Sequence, residues 1–159
     1  MQEIQARWKT KGLVLKGEWL QQQINNEQLL SKTIEQQDTY LLNKILFCDL
    51  SILSEPTLPT GIAAKDTFHL NGSYIVQILG CSNICEPEKK QFNDGATRLL
   101  KLKLSDGYQN VFAIEYKKVP HLLPTIAIGT KLCIKDILVA GGLLLFEPEK
   151  VIILGGEFQ

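Results

Sequence analysis

No apolar run among these 159 residues approaches the roughly 20 needed to cross a bilayer. The opening stretch, MQEIQARWKT, lacks both the apolar core and the small-residue cleavage site of a secretory signal. A soluble intracellular chain with no membrane partner is the expectation. Excess charge of either sign is missing too: 17 basic residues meet 17 acidic ones. Up to Asp66 there are 7 basic and 8 acidic residues, and beyond it 10 and 9. Neither part has the Lys and Arg surplus of a dedicated nucleic-acid binder, so tight, salt-sensitive phosphate binding is not expected. The balance favours protein partners.

Cysteine is scarce. Cys48, Cys81, Cys85 and Cys133 are the four, and only Cys81 and Cys85 lie close together. Neither His69 nor His121 completes a zinc spacing. Reduced, partly buried thiols are expected, with no metal and no cofactor. Catalytic grammar is absent as well. The chain has no glycine-rich phosphate loop and no nucleophile elbow, and nothing in the spacing of its Ser, His and Asp residues groups them. Glu115 has no paired carboxylate, and the two Gly-Gly pairs read as turns. The sequence reads as a non-enzyme.

What is present is a core and two different grammars. At 45% hydrophobic and 21% charged, the composition is that of an average globular protein. Up to about Leu53 the pattern is helical: Trp19, Leu20 and Ile24 recur at helical spacing, as do Leu41, Leu42, Ile45 and Leu46. Two or three short amphipathic helices are predicted, with Asp49 ending one and SEPTLPTG ending the set. Trp8 and Trp19 are assigned to the core of that bundle.

From Leu70 onward the pattern changes to strands and turns. NGSYIVQILGCSNI is a long first strand with a bend at Gly80, and CEPEKKQFNDGAT is a polar loop. RLLKLKLS and YQNVFAIEY form a hairpin. A proline-containing connection then leads to KLCIKDILVA, LLLF and VIILGGE. Five strands with a long connector between the third and fourth predict a small barrel of the OB type, whose ligands meet strands two and three. The class is mainly β with a helical N-terminal part: a three-helix bundle over 1–66 and a five-stranded barrel over 67–159.

The hairpin holds the candidate site. A two-residue turn at Asp106-Gly107 pairs Leu102 with Val111 and Leu100 with Ala113 on an inner face. On the outer face it pairs Lys101 with Phe112, Lys103 with Asn110, and Leu99 with Ile114, with Tyr116 beyond. A three-residue turn would slip the register by one and turn Phe112 inward. Phe112, Ile114 and Tyr116, edged by two lysines, need a cover. The N-terminal helices are the expected cover for Ile114 and Tyr116. A protein-docking face and a single-strand-binding face are the competing readings.

The segments LKLSDGYQNVFAIEYKKVP and IGTKLCIKDILVAGGLLLFEPEKVIILGGE closely resemble the N-terminal OB domain of the RecQ-mediated genome instability protein 1 family. They also resemble the related domain of Tudor-domain-containing protein 3. GEWLQQQI, CDLSILSEPTLPTGI and LNGSYIVQI follow in the family's order, so the resemblance covers nearly the whole chain. It implies a helical bundle plus OB barrel acting as a non-catalytic scaffold for a type IA topoisomerase III. In the genome-instability branch it also implies a RecQ-type helicase and a second OB-fold subunit as partners in double Holliday junction dissolution. Nuclear localisation follows, with the cytoplasm added for the Tudor branch. The resemblance further implies that the chain is either a fragment or a minimal member of the family, whose other members continue into further domains.

In that family the loop between strands one and two reaches the topoisomerase. Glu86, Pro87, Lys89, Lys90, Phe92 and Asn93 are therefore candidate partner-binding residues, together with Lys101, Lys103 and Phe112 on the hairpin. Phe92 is the one large apolar side chain of that loop. Lys101 and Lys103 are also the candidates for weak nucleic-acid contact. The loop, Cys85 to Thr97, is nearer the Tudor-branch length, whereas the helical segment is closer to the genome-instability branch, so the branch stays open. An autonomous single-strand-binding module is the alternative, motivated by Lys101, Lys103 and Phe112.

Overall fold

The computed structural model describes residues 1–64, 66–85 and 98–157. Helix α1 (Gln2–Lys11) buries Ile4 and Trp8, one turn apart. Helix α2 (Gly17–Glu27) buries Trp19, Leu20 and Ile24, and α3 (Ile34–Leu46) buries Leu41 and Ile45. These side chains interlock in one apolar cluster, each contributing about 1.5–3 kcal/mol by leaving water. Thr33 opens α3 with a reciprocal capping box to Gln36. Arg7 of α1 reaches across to Gln37 and Asp38 of α3 at 2.8 and 3.0 Å. Burial pushes the Asp38 carboxyl up, but hydrogen bonds from Arg7 and Lys11 outweigh it and hold the group below the usual carboxylate range.

Asp49 does not end a helix, as its position suggested; it starts one. Its carboxylate accepts from the Ser51 amide at 3.0 Å and caps a fourth, single-turn helix, α4 (Leu50–Leu53). A short acidic side chain satisfies the free amides and the positive end of a helix N-terminus. Single 3-10 turns at Leu29–Ser31 and Ile62–Ala64 complete the helical part among the described residues.

Strand β1 (Thr67–Asn83) is 17 residues long and runs beside two neighbours in turn. Its first two thirds pair antiparallel with β4 (Lys131–Ala140), and its last third pairs with β2 (Leu100–Ser105). Strand β3 (Asn110–Glu115) pairs with β2, and β5 (Leu143–Phe146) joins β3 in parallel and β4 antiparallel. The order β1-β2-β3-β5-β4 returns to β1 and closes a five-stranded barrel of OB topology. β6 (Val151–Gly155) lies on the same side of β4 as β5, beside Lys131–Ile134. A 3-10 turn at Pro148–Lys150 separates β5 and β6, so they act as one interrupted strand. Alternate residues of these strands point inward, among them Ile78, Leu102, Leu104, Val111, Leu132, Val139 and Phe146, all buried. Val119 and Leu122 of the connector plug the barrel, and Leu58 and Ile62 join the same core.

The hairpin register differs from the expected one by two residues. Leu102 faces Ala113, Leu104 faces Val111, Lys103 faces Phe112 and Ser105 faces Asn110. The loop is therefore Asp106–Gln109, four residues instead of two. Asp106 is the cause. Its Oδ1 accepts from the amides of Tyr108 and Gln109 at 3.0 and 2.8 Å, which bends the chain into an Asx turn. Its Oδ2 accepts from Thr57 and Leu58 at 3.1 and 3.0 Å. Because side chains alternate with a period of two, a slip of two moves no residue to the other face. Leu102 and Val111 both stay inside; Lys101, Lys103 and Phe112 stay outside.

The helices cover one outer face of the barrel. Ile75 of β1, Cys133 of β4 and Leu154 of β6 pack into the helical cluster. Gln77, 2% exposed, donates to Asp49 at 2.9 Å and accepts from the Leu50 amide at 3.0 Å. Three glycines let backbone meet backbone along this seam. A Cβ at Gly12 would lie 2.6 Å from Tyr74 Cα, and one at Gly107 would lie 2.6 Å from Ser51 N. One at Gly156 would collide with the Leu46 carbonyl. Tyr108 beside Gly107 donates its hydroxyl to the Ser54 carbonyl at 2.7 Å. The row Phe112, Ile114 and Tyr116 is thus not covered by helices, contrary to expectation: the seam contacts select the β1–β4–β6 face instead.

Candidate functional site

Where the helices do not reach, β1 and β2 present a groove of about 630 Å³. One wall is the outer face of the sheet: Gly80 and Ser82 on β1, Lys101 and Lys103 on β2, and Phe112 on β3. The register places Gly80 beside Lys103 and Ser82 beside Lys101. The other wall is the connector, with Pro124, Thr125, Ile126 and Ile128. Phe112 is 40% and Ile128 56% exposed, so the walls are apolar and open.

The cations in it have no carboxylate partner among the described residues. Lys11, Lys32, Lys117 and Lys150 each hold a carboxylate at 3.0–3.2 Å. Among the described residues no carboxylate pairs with Lys101 or Lys103; Lys101 instead lies over the Phe112 ring, 5.0 Å from its centre. An exposed cation on an aromatic face contributes about 0.5–1 kcal/mol and remains available to an anion.

A buried polar frame holds the sheet beneath the groove. Arg98 and Glu115, both side chains 2% exposed, form a bidentate pair at 3.2 and 2.6 Å. Arg98 also donates to the Val119 carbonyl at 2.7 Å, and Glu115 accepts from the Val119 amide at 2.9 Å. Asn83, fully buried, accepts from the amides of Cys85 and Leu99. The start of β2, the end of β3 and the connector are tied at one point. The Cys81 thiol is pushed up to about 12, first by burial and then by the Glu115 carboxylate, so it is no nucleophile at neutral pH. Among the described residues no group of three or more His, Cys, Asp or Glu side chains could hold a metal ion. No helix among them is long and apolar enough to cross a membrane. The arrangement suits docking.

Of the residues named from sequence, Lys101, Lys103 and Phe112 meet in this groove. Glu86, Pro87, Lys89, Lys90, Phe92 and Asn93 lie outside the described residues. Sequence reasoning missed the second wall. The alternation of Ile126 and Ile128 in PTIAIGT was its only signal, and the prolines made that stretch read as a plain connection.

The family described as RMI1, N-terminal OB-fold domain, matches residues 58–159. RecQ-mediated genome instability protein 1 of Arabidopsis thaliana is 31% identical over 123 residues, 76% of this chain and 19% of that protein. The mouse protein of the same name is 31% identical over 164 residues, 87% of this chain and 26% of that protein. Tudor domain-containing protein 3 of Xenopus tropicalis is 30% identical over 112 residues, 70% of this chain and 16% of that protein. The chain thus spans less than a third of the length of each.

Proposed function

The chain belongs to the RMI1 N-terminal OB-fold domain family, and on that premise we propose that it is a non-catalytic scaffold module serving genome stability. It holds a type IA topoisomerase III and supports its strand passage, beside a RecQ-type helicase and a second OB-fold subunit, in the dissolution of double Holliday junctions in the nucleus. The observation that carries this reading is the groove: an apolar OB face that no described helix covers, with two lysines that no described carboxylate pairs. A balanced net charge agrees with docking.

Calorimetric titration of the whole chain against purified topoisomerase III tests it. A saturable complex is expected; no binding at about 50 micromolar would remove the reading. Phe92 extends the proposed contact, and Phe92→Ala should weaken the complex roughly thirtyfold if it is an anchoring side chain. The similarity to the Tudor relative favours a second reading, in which the partner is topoisomerase III beta acting on DNA and RNA, with a cytoplasmic pool. A third is an autonomous single-strand-binding module, favoured by the Lys101–Phe112 stack. Submicromolar, steeply salt-dependent binding of labelled single-stranded DNA would establish it over the scaffold.

A further inference from the structure

Gly80 sits inside β1 at a register shift, a bulge that bends the strand, and no packed neighbour among the described residues requires a glycine there. Its φ lies outside the left-handed region in which Gly12, Gly107 and Gly156 are found. A Cβ built on it would meet no atom within 4 Å. Glycine in a strand interior marks a bulge, a bend or the close approach of another chain or ligand. A bulge whose φ is not left-handed accepts other residues, which leaves close approach as the reason for a glycine at this position. The space in front of Gly80 is the floor of the groove.

Resting on the scaffold reading above, we propose that the groove takes an extended polypeptide segment of the protein partner in which acidic and aliphatic side chains alternate. Lys101 and Lys103 stand two residues apart on one strand face, about 7 Å. That is the repeat of alternate side chains along an extended peptide, so two carboxylates at i and i+2 face the two ammonium groups. The intervening side chain points to the other wall, where Ile126 and Ile128 offer an aliphatic surface. The segment's backbone runs over Gly80, where a side chain would block it. Single-stranded nucleic acid fits this groove less well. Stacked bases need successive aromatic platforms and a positive channel, and the groove has one ring, Phe112, facing an aliphatic wall.

The test uses a fluorescein-labelled decapeptide alternating aspartate and leucine, titrated by anisotropy at physiological salt, with a lysine-for-aspartate peptide as control. The acidic peptide should bind saturably and the control should not. Gly80→Val should weaken binding at least about tenfold while leaving the melting temperature equal to or above that of the parent. The double change Lys101→Glu, Lys103→Glu should do the same. Undiminished peptide binding by Gly80→Val overturns the proposal, as does tighter, competing binding of labelled oligothymidylate. Topoisomerase binding separates the two claims. If the parent binds the enzyme and Gly80→Val binds it equally well, the groove proposal falls and the scaffold reading stands. If the parent binds no topoisomerase but binds the acidic peptide, the scaffold reading falls and the groove's chemistry stands.

Discussion

The barrel has two outer faces that look alike in sequence and behave as opposites. On the face under the helices, glycines at 12, 107 and 156 meet backbone atoms, and the buried Lys131 donates to the Gly129 carbonyl at 2.7 Å. On the open face Gly80 meets nothing, and Lys101 and Lys103 have no carboxylate among the described residues. The same residue types are thus satisfied internally on one side and left available on the other. A satisfied face is part of the fold, whereas an unsatisfied one is open to a partner.

The largest expected effect comes from intruding on the seam. Gly107→Val forces a branched residue into φ +103 and drives its Cβ into the Ser51 backbone, so a loss of about 4 kcal/mol in urea denaturation is expected. Equal stability of Gly107→Val and Gly80→Val would erase the distinction between the faces. Next is Leu102→Ala, which empties a fully buried site of the barrel core and should cost about 3 kcal/mol.

A pH titration of stability probes the covered lysine. Burial pushes the Lys131 amine down to about 8 from 10.5, with the Asp49 carboxylate partly opposing. Between these values the unfolded chain binds the proton and the native one does not, so this group makes stability rise with pH across that window. Relative to Lys131→Met, the parent should gain on the order of 2 kcal/mol from pH 8 to 10.5. Parallel curves would show that the amine is not held this way. The smallest effect belongs to the open face: Lys103→Ala should change stability by no more than about 0.5 kcal/mol. A larger loss would mean that Lys103 has a structural partner.

Strand β4 was legible to the residue, because KLCIKDILVA is bounded by Thr130 and Gly141-Gly142. The hairpin faces were legible although the register was not, since a slip of two leaves alternation intact. Asp106 read as an ordinary turn residue. Its grip on Thr57 and Leu58, nearly fifty positions away, leaves no local trace. The helices' choice of face was equally illegible. Phe112, Ile114, Ile75 and Cys133 all point outward from alternating strands, and nothing local says which of them a distant helix will cover.

Local physics was enough to determine the two grammars, the closing sequence of strands and the outward direction of Lys101, Lys103 and Phe112, because periodicity and turn chemistry act over a few residues. Only the tertiary structure decided which outer face the helices cover and that Gly80 fronts open space. It also decided that Ile126 and Ile128 stand opposite the hairpin lysines. Those outcomes depend on backbone-to-backbone fits between segments far apart in the chain, where tenths of an ångström at a glycine determine which surfaces can touch.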